Sequence, residues 1–370
     1  MTEVRIVDSL SHVDRAQWAA LFPGEVEDYD YLTAVERAGL QGFRWRYVLA
    51  FEGAALVGAA PVFLTEYPLE TTLAGPGRRV AEALRRRLPN ALVLRLACLG
   101  SPCTERALVG LSRSALPAVR DGLIRAILAG LETIARDEGC GLLGLKDLAA
   151  PDAPPWAAGA AKSGYRPLPS LPIAHLDIDF RDIDQYLARL SPGTRKDMRR
   201  KLRAPDRVRI EIRTEVDDLI DQIMALYDET RGRAEMSLED LTAAYFTGVL
   251  RGMPGRGFFV LYYDGDELLA ANLLLHDGDT LVDKYFCMDG ERGRPLNLYF
   301  LSWFTNVRLC LENGWTRYQS GQAAYDAKLR LGSRLTRTAN YFRHRNLLVN
   351  GALRLVAPMF AADPTLRSAA

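Results

Sequence analysis

Apolar positions along the chain recur either at every second residue or at intervals of three and four, the spacings of half-buried strands and amphipathic helices. In the first half these spacings predict a strand over 3–10, helices over 14–22 and 28–40, and a hairpin of strands 44–52 and 56–67 turning at Gly53. An arginine-rich helix (Arg78–Arg87), a strand over 91–100, a long helix over 115–139 stopped near Gly139, and a strand over 141–148 follow. The second half repeats the order. It has a strand over 173–180, a helix from Ile183, and a basic segment running into a strand over 208–214. Helices over 217–235 and 238–253 precede a hairpin over 257–276 that turns at Asp264-Gly265. A strand (280–288), a loop, a helix (296–313) and a strand (315–320) close the series. The proline-rich stretch 150–172 reads as an irregular crossing between the halves. The expected fold class is α/β with a mixed α+β sheet. The halves divide as 1–165 and 166–355, with a tail over 356–370, and 370 residues suit two domains.

Composition narrows the function classes. Hydrophobic residues make up 48% and charged residues 25%, an ordinary globular balance, and no apolar run reaches the roughly 18–20 residues of a membrane span. The N-terminus has no apolar leader segment, so a cytoplasmic location is expected. Five cysteines without a CxxC pair read as reduced thiols, and four scattered histidines disfavour metal catalysis, so no metal site is expected. Net charge is only +1, yet residues 189–209 carry nine Arg/Lys against two Asp, and residues 328–345 carry six and no acid. Two basic segments in a neutral chain suggest an anionic ligand recognised locally.

Three stretches carry a family likeness: "LSPGTRKDMRRKLR" (190–203), "LYDETRGR" (226–233) and "GWTRYQSGQAAYDAKLRLG" (314–332). With the repeated order of elements, they make the chain resemble the GNAT acyltransferases. The doubling is similar to the FemABX amino-acyl transferases and the CelD/BcsL-like bacterial proteins. The resemblance implies two tandem GNAT-like domains, each a mixed central sheet flanked by helices, with the donor site in the second. The co-substrate it implies is acyl-CoA, or in the FemABX case aminoacyl-tRNA, with no tightly bound cofactor. GNAT enzymes cradle the coenzyme A pyrophosphate in a glycine turn leading into a helix. Here that turn is "DGERGRPLN" (289–297), which lacks the G-x-G spacing, so Arg292, Arg294 and Asn297 are expected to supply donor contacts.

The remaining candidates follow residue by residue. On the helix after Pro192, Arg195 and Arg199 share one stripe and Arg200 lies on the next, expected to bind donor phosphates or tRNA. Strand 280–288 faces the reaction centre in a GNAT domain, where amine acylation needs a proton acceptor and an acid for the leaving group. Asp283 and Tyr285 are the candidates, and alternation puts them with Cys287 on one face and Lys284 with Phe286 on the other. Glu229 is a candidate to deprotonate the amine, and Arg231 to bind the acceptor. Gln319 and Lys328 are catalytic candidates in the polar segment after the last central strand, with Ser320, Gln322 and Tyr325 as acceptor contacts. Lys146 is the first-half counterpart of that segment. Cys103 reads as the most exposed thiol, and "GPGRR" (75–79) lacks the GK[ST] of a nucleotide loop.

The leading expectation is an N-acyltransferase joining an acyl group to a primary amine of a small molecule or of a cell-envelope or natural-product precursor. The alternatives are an aminoacyl-tRNA-dependent transferase, with tRNA as partner, and a non-catalytic protein of the same fold that binds glycan or peptidoglycan. DNA binding is not expected. The acyl group, the acceptor and the oligomeric state are not legible in the sequence.

Overall fold

The computed structural model describes residues 2–68, 93–150, 153–202, 207–233 and 238–351. The expected helix at 78–87, the "GPGRR" loop and the tail beyond 355 lie outside these residues. In chain order the elements begin with β1 (Glu3–Val7), α1 (Arg15–Leu21), α2 (Tyr29–Arg37), β2 (Arg44–Glu52), β3 (Ala55–Pro68), β4 (Val93–Leu99) and β5 (Gly110–Leu111). Next come α3 (Pro117–Asp137), β6 (Leu142–Ala149), α4 (Ala153–Lys162), β7 (Arg166–Asp177), α5 (Ile183–Arg189), α6 (Pro192–Leu202) and β8 (Val208–Arg213). The chain continues through α7 (Ile220–Gly232), α8 (Ala243–Gly252), β9 (Gly257–Asp264), β10 (Glu267–His276) and β11 (Thr280–Met288). It closes with α9 (Leu298–Asn313), β12 (Arg317–Gly321), α10 (Tyr325–Arg330) and β13 (Arg334–His344).

These elements form two compact units. The first holds residues 1–23, 42–172 and 337–370; the second holds 24–41 and 173–336. Residues 24–41, with α2, thus group with the second unit, although they precede most of the first in sequence. The reason is side-chain chemistry on α2 and just before it. Arg256 pairs with Asp28 (2.7 Å) and Asp30 (3.0 Å), and the Tyr31 and Tyr245 hydroxyls lie 2.9 Å apart.

In the first unit β1, β2, β3, β4, β6 and β13 are neighbours in that order, and only β4 and β6 run parallel. Helix α3 lays Leu123, Ile124, Ile127, Leu128, Leu131 and Ile134 into its core, the three-and-four spacing read from the sequence. In the second unit the order is β7, β12, β11, β10, β9, β8, and only β11 and β12 run parallel. Gly265 (φ +62°) makes the β9–β10 hairpin at the Asp264-Gly265 position expected. Two expectations are corrected. The proline-rich crossing holds a helix, α4, with its prolines in the first turn, and the start of β7. The basic segment 328–345, for which no element was expected, forms the end of α10 and then β13, which pairs with β6 in the first unit.

Candidate functional site

The second unit's two parallel strands stay together only briefly. β11 and β12 pair at Thr280–Arg317, Leu281–Tyr318 and Val282–Gln319 and share no further register. At the point of separation β11 carries a bulge, since Leu274 opposes Asp283 while Leu273 opposes Tyr285, leaving Lys284 as the extra residue. The bulge overturns the simple alternation. Asp283 and Phe286 face α9, where Phe286 meets Tyr299; Tyr285 lies on the other face, tilted against Tyr227 at 4.9 Å between ring centroids and edge-on to Phe246. Lys284 turns to Glu27, forming a buried ion pair with side chains 5% and 2% exposed.

Asp283 is held in a polar cluster inside an otherwise apolar core. Asn272 donates to its Oδ1 at 2.6 Å, and the Tyr318 hydroxyl donates to its Oδ2 at 2.8 Å. Asn306, from the middle of α9, donates to Asn272 Oδ1 (3.0 Å), Tyr318 Oη (3.0 Å) and Asp283 Oδ2 (3.3 Å). Burial pushes the Asp283 carboxyl above its ordinary range; the Asn272 and Tyr318 hydrogen bonds and the charges of Lys328 and Lys284 oppose it. Burial also pushes the Tyr285 and Tyr318 hydroxyls up, which keeps both as neutral donors at physiological pH. Asn272, Asn306 and Tyr318 were not anticipated. The available signal was an asparagine in the interior of each of two strongly apolar elements.

The turn between β11 and α9 is braced from α7. Glu229 accepts from Gly290 N–H (2.8 Å) and pairs with Arg233, whose guanidinium donates to the Met288 carbonyl (2.8 Å). Thr230 Oγ1 accepts from Met288 N–H at 3.0 Å. Glu229 therefore has a geometric task at this turn. Asp289 Oδ1 accepts from the N–H groups of Glu291 (2.9 Å) and Arg292 (2.8 Å), closing the turn that the missing G-x-G leaves to a side chain. Arg292 pairs with Glu267, Arg294 is exposed, and Asn297 starts α9 in a left-handed conformation (φ +55°) without a side-chain cap. The last turn of α6 lies beside the first turn of α9, with Lys201 Nζ 3.6 Å from the centroid of the Phe300 ring. On α6 the Arg195 guanidinium donates to the Ala188 carbonyl (3.2 Å), Arg199 lies 3.9 Å from Asp184, and Arg200 pairs with Asp197 (2.8 Å).

The polar segment after β12 is organised from within. Gly321, Ala323 and Ala324 all have positive φ (78°, 66° and 50°), which strains the two alanines. Lys328, 5% exposed, donates to the carbonyls of Ser320 (2.5 Å), Gly321 (2.9 Å) and Gln322 (3.2 Å). Ser320 is a second bulge, between the Gln319–His175 and Gly321–Ala174 pairs, and Tyr325 is buried at the start of α10. Arg231 pairs with Asp240. Lys146 belongs to the first unit, where its amine holds the Thr104 carbonyl (2.7 Å) and Asp147, a buried residue at φ +52°. Cys103 is buried, contrary to its exposed reading, and burial pushes the Cys287 and Cys310 thiols up to about 12. Among the described residues no cluster of His, Cys, Asp or Glu is placed to hold a metal, and no helix is long and apolar enough to cross a membrane.

Residues 192–329 match the family model of the acetyltransferase (GNAT) domain. Over 96% of this chain and 100% of the other, the fold is similar to that of FemX, with TM-score 0.61 and 13% identity. A tandem GNAT protein from the clavulanic acid biosynthesis pathway is similar over 94% of this chain and 99% of its own, with TM-score 0.59 and 14% identity. In sequence, a Mycobacterium tuberculosis protein provisionally named 8-amino-7-oxononanoate synthase 2 is 24% identical over 337 residues, 85% of this chain. The chain spans 42% of the length of that relative. Residues 192–329 thus match the model of a GNAT acetyltransferase domain, and the fold of the chain is similar to those of FemX and of a tandem GNAT protein.

Proposed function

We propose that the chain is an N-acyltransferase that moves an acyl group from acyl-CoA to a primary amine of a small molecule or of a cell-envelope or natural-product precursor. The observation that carries this reading is the separation of β11 and β12 after Val282 and Gln319, next to a braced turn that delivers α9 with an uncapped N-terminus. An acyl-pantetheine arm fits between diverging strands whose backbone groups are freed from each other, and an uncapped helix end with Arg292 and Arg294 suits a pyrophosphate. Arg195, Arg199 and Arg200 extend the positive field along α6.

In the reaction the amine nitrogen bonds to the thioester carbonyl carbon and the carbon–sulfur bond breaks. Of the two protons the ammonium sheds, one passes through Asp283 to the departing thiolate and the other leaves to solvent. Tyr285, kept neutral by burial, donates a hydrogen bond from the opposite face of β11. Gln319, Ser320, Gln322, Tyr325 and Arg231 shape the acceptor side, Glu229 holds the donor turn, and Lys328 holds the segment after β12.

Aminoacyl-tRNA as donor is the second reading, favoured by the exposed basic side chains of α6 beside the start of α9. Thermal unfolding separates the two. Coenzyme A and acetyl-CoA are expected to raise the midpoint and bulk tRNA is not; the reverse result transfers the proposal to tRNA. Mass spectrometry of amines acylated in a lysate supplied with labelled acyl-CoA identifies the acceptor. Absence of any labelled amine together with absence of a coenzyme A shift overturns acyl transfer.

A further inference from the structure

We infer that Asn272, Asn306 and Tyr318 close a hydrogen-bonded ring on Asp283 that lets this buried carboxyl take up and release a proton by turning two side-chain amides, with the backbone in place. The use of that proton rests on the acyl-transfer reading; the ring itself does not.

The ring has four links. They run from Asp283 Oδ1 to Asn272 Nδ2 (2.6 Å), from Asn272 Oδ1 to Asn306 Nδ2 (3.0 Å), from Asn306 Nδ2 to Tyr318 Oη (3.0 Å) and from Tyr318 Oη back to Asp283 Oδ2 (2.8 Å). With Asp283 ionised, hydrogens converge on the carboxylate. Asn306 Oδ1 is then buried without a partner among the described residues. With a proton on Asp283 Oδ1, that oxygen must donate, and the link to Asn272 has to reverse. Amide oxygen and nitrogen are nearly equal in size, so a half-turn of the Asn272 amide puts its oxygen where its nitrogen stood. Its nitrogen now points at Asn306, which turns likewise and brings in its unused oxygen to accept from Asn272 and from the Tyr318 hydroxyl, whose single hydrogen then leaves Asp283 Oδ2. One proton enters, one carboxyl O–H forms, and no covalent bond breaks. The turn also releases the 3.3 Å contact from Asn272 to the Tyr285 carbonyl, on the strand that bulges at Lys284.

Nothing else around the carboxyl competes for this proton. The groups facing it are Tyr262 from β9, Tyr299 from α9, Tyr318 from β12, Lys328 from α10 and Lys284 from β11 itself. Burial pushes the three tyrosines up, which keeps them neutral, and the charges of the two lysines oppose the upward shift of the carboxyl. Asn272, Asn306 and Tyr318 are positioning residues: each acts through Asp283. Leucine would suit the apolar surroundings of Asn272 and Asn306, both fully buried, and could make none of these links.

Infrared difference spectroscopy across an acid titration reads the ring directly. The carbonyl band of the protonated carboxyl that is present in the wild type and absent from Asp283→Asn gives the Asp283 midpoint. Tyr318→Phe keeps the ring's shape and removes one donor to the ionised form, so the midpoint is expected to rise by about one pH unit. Should Tyr318→Phe not fold, Asn306→Ser opens the ring at the next link and is expected to move the midpoint the same way. Folding stability supplies the second reading. Because the folded carboxyl sits above its unfolded value, wild-type stability falls as pH rises from the ordinary carboxylate range through the folded value, and Asp283→Asn removes that fall. A wild-type midpoint in the folded variant tested, or no band lost in Asp283→Asn, overturns the inference. Thiol release from acetyl-CoA, followed over the same pH range, keeps the two readings apart. Its pH midpoint is expected to move with the infrared one. A protein that shows the shifted band but no thiol release at any pH retains the ring and refutes acyl transfer.

Discussion

Lys328→Met gives the sharpest test of how the segment after β12 is held. The substitution keeps an unbranched apolar stem and removes an ammonium that contacts three backbone carbonyls, at 2.5, 2.9 and 3.2 Å. A hydrogen bond to a charged group contributes about 1.5–3 kcal/mol, so three such contacts amount to roughly 4–9 kcal/mol before any offset. Two offsets apply. Removing a buried ammonium recovers several kcal/mol of desolvation. The segment can also relax the left-handed Ala323 and Ala324, which release about 1–2 kcal/mol each. The balance is a loss of about 2–4 kcal/mol. Urea unfolding followed by circular dichroism should show it as a lower midpoint at unchanged slope. A purely catalytic role for Lys328, the expectation from the sequence, leads to the opposite result, turnover lost with stability kept. A destabilisation under about 1 kcal/mol refutes the argument that Lys328 organises this segment.

Gly293→Ala sets a Cβ 2.6 Å from the Asp289 backbone carbonyl, an atom that cannot step aside. The donor turn must open, and coenzyme A is expected to bind at least about tenfold more weakly by calorimetry. Lys284→Met leaves Glu27 buried without its cation and should destabilise the fold by about 3–5 kcal/mol. Adding Glu27→Gln should return a large part of that loss, read from a double-mutant cycle in urea.

Much of the second unit was legible because its signals are local. The 257–276 hairpin follows from Asp264-Gly265 between apolar strands, and α9 follows from three-and-four spacing ended at Gly314, which takes φ +72°. The turn at 289–297 was recognisable by position and by Gly290 and Gly293, although its Asp289 bracket spans up to 3 residues and its Glu229 brace comes from 61 residues away. The strand identity of β13 was hidden under a run of arginines, since a strand in a sheet tolerates charge on its exposed positions and the run reads as a basic tail. Cys103 misled for a similar reason: its polar neighbours suggested exposure, while the fold covers the thiol.

By itself the sequence determined the α/β fold class, most element types of the described residues and the acyltransferase likeness, which rest on short motifs and on spacing within a few residues. Tertiary structure alone decided three things. It assigned residues 24–41 to the second unit, because the ion pairs and hydroxyl contact that hold α2 lie more than 200 positions away. It put Asp283 and Tyr285 on opposite faces, because a bulge is a property of two paired strands and not of one. It also gathered Asn272, Asp283, Asn306 and Tyr318, which are 11, 23 and 12 positions apart along the chain, into one buried ring. Hydrogen-bond geometry between elements is fixed only when the elements pack, and that is where a carboxylate in an ordinary strand acquires its partners.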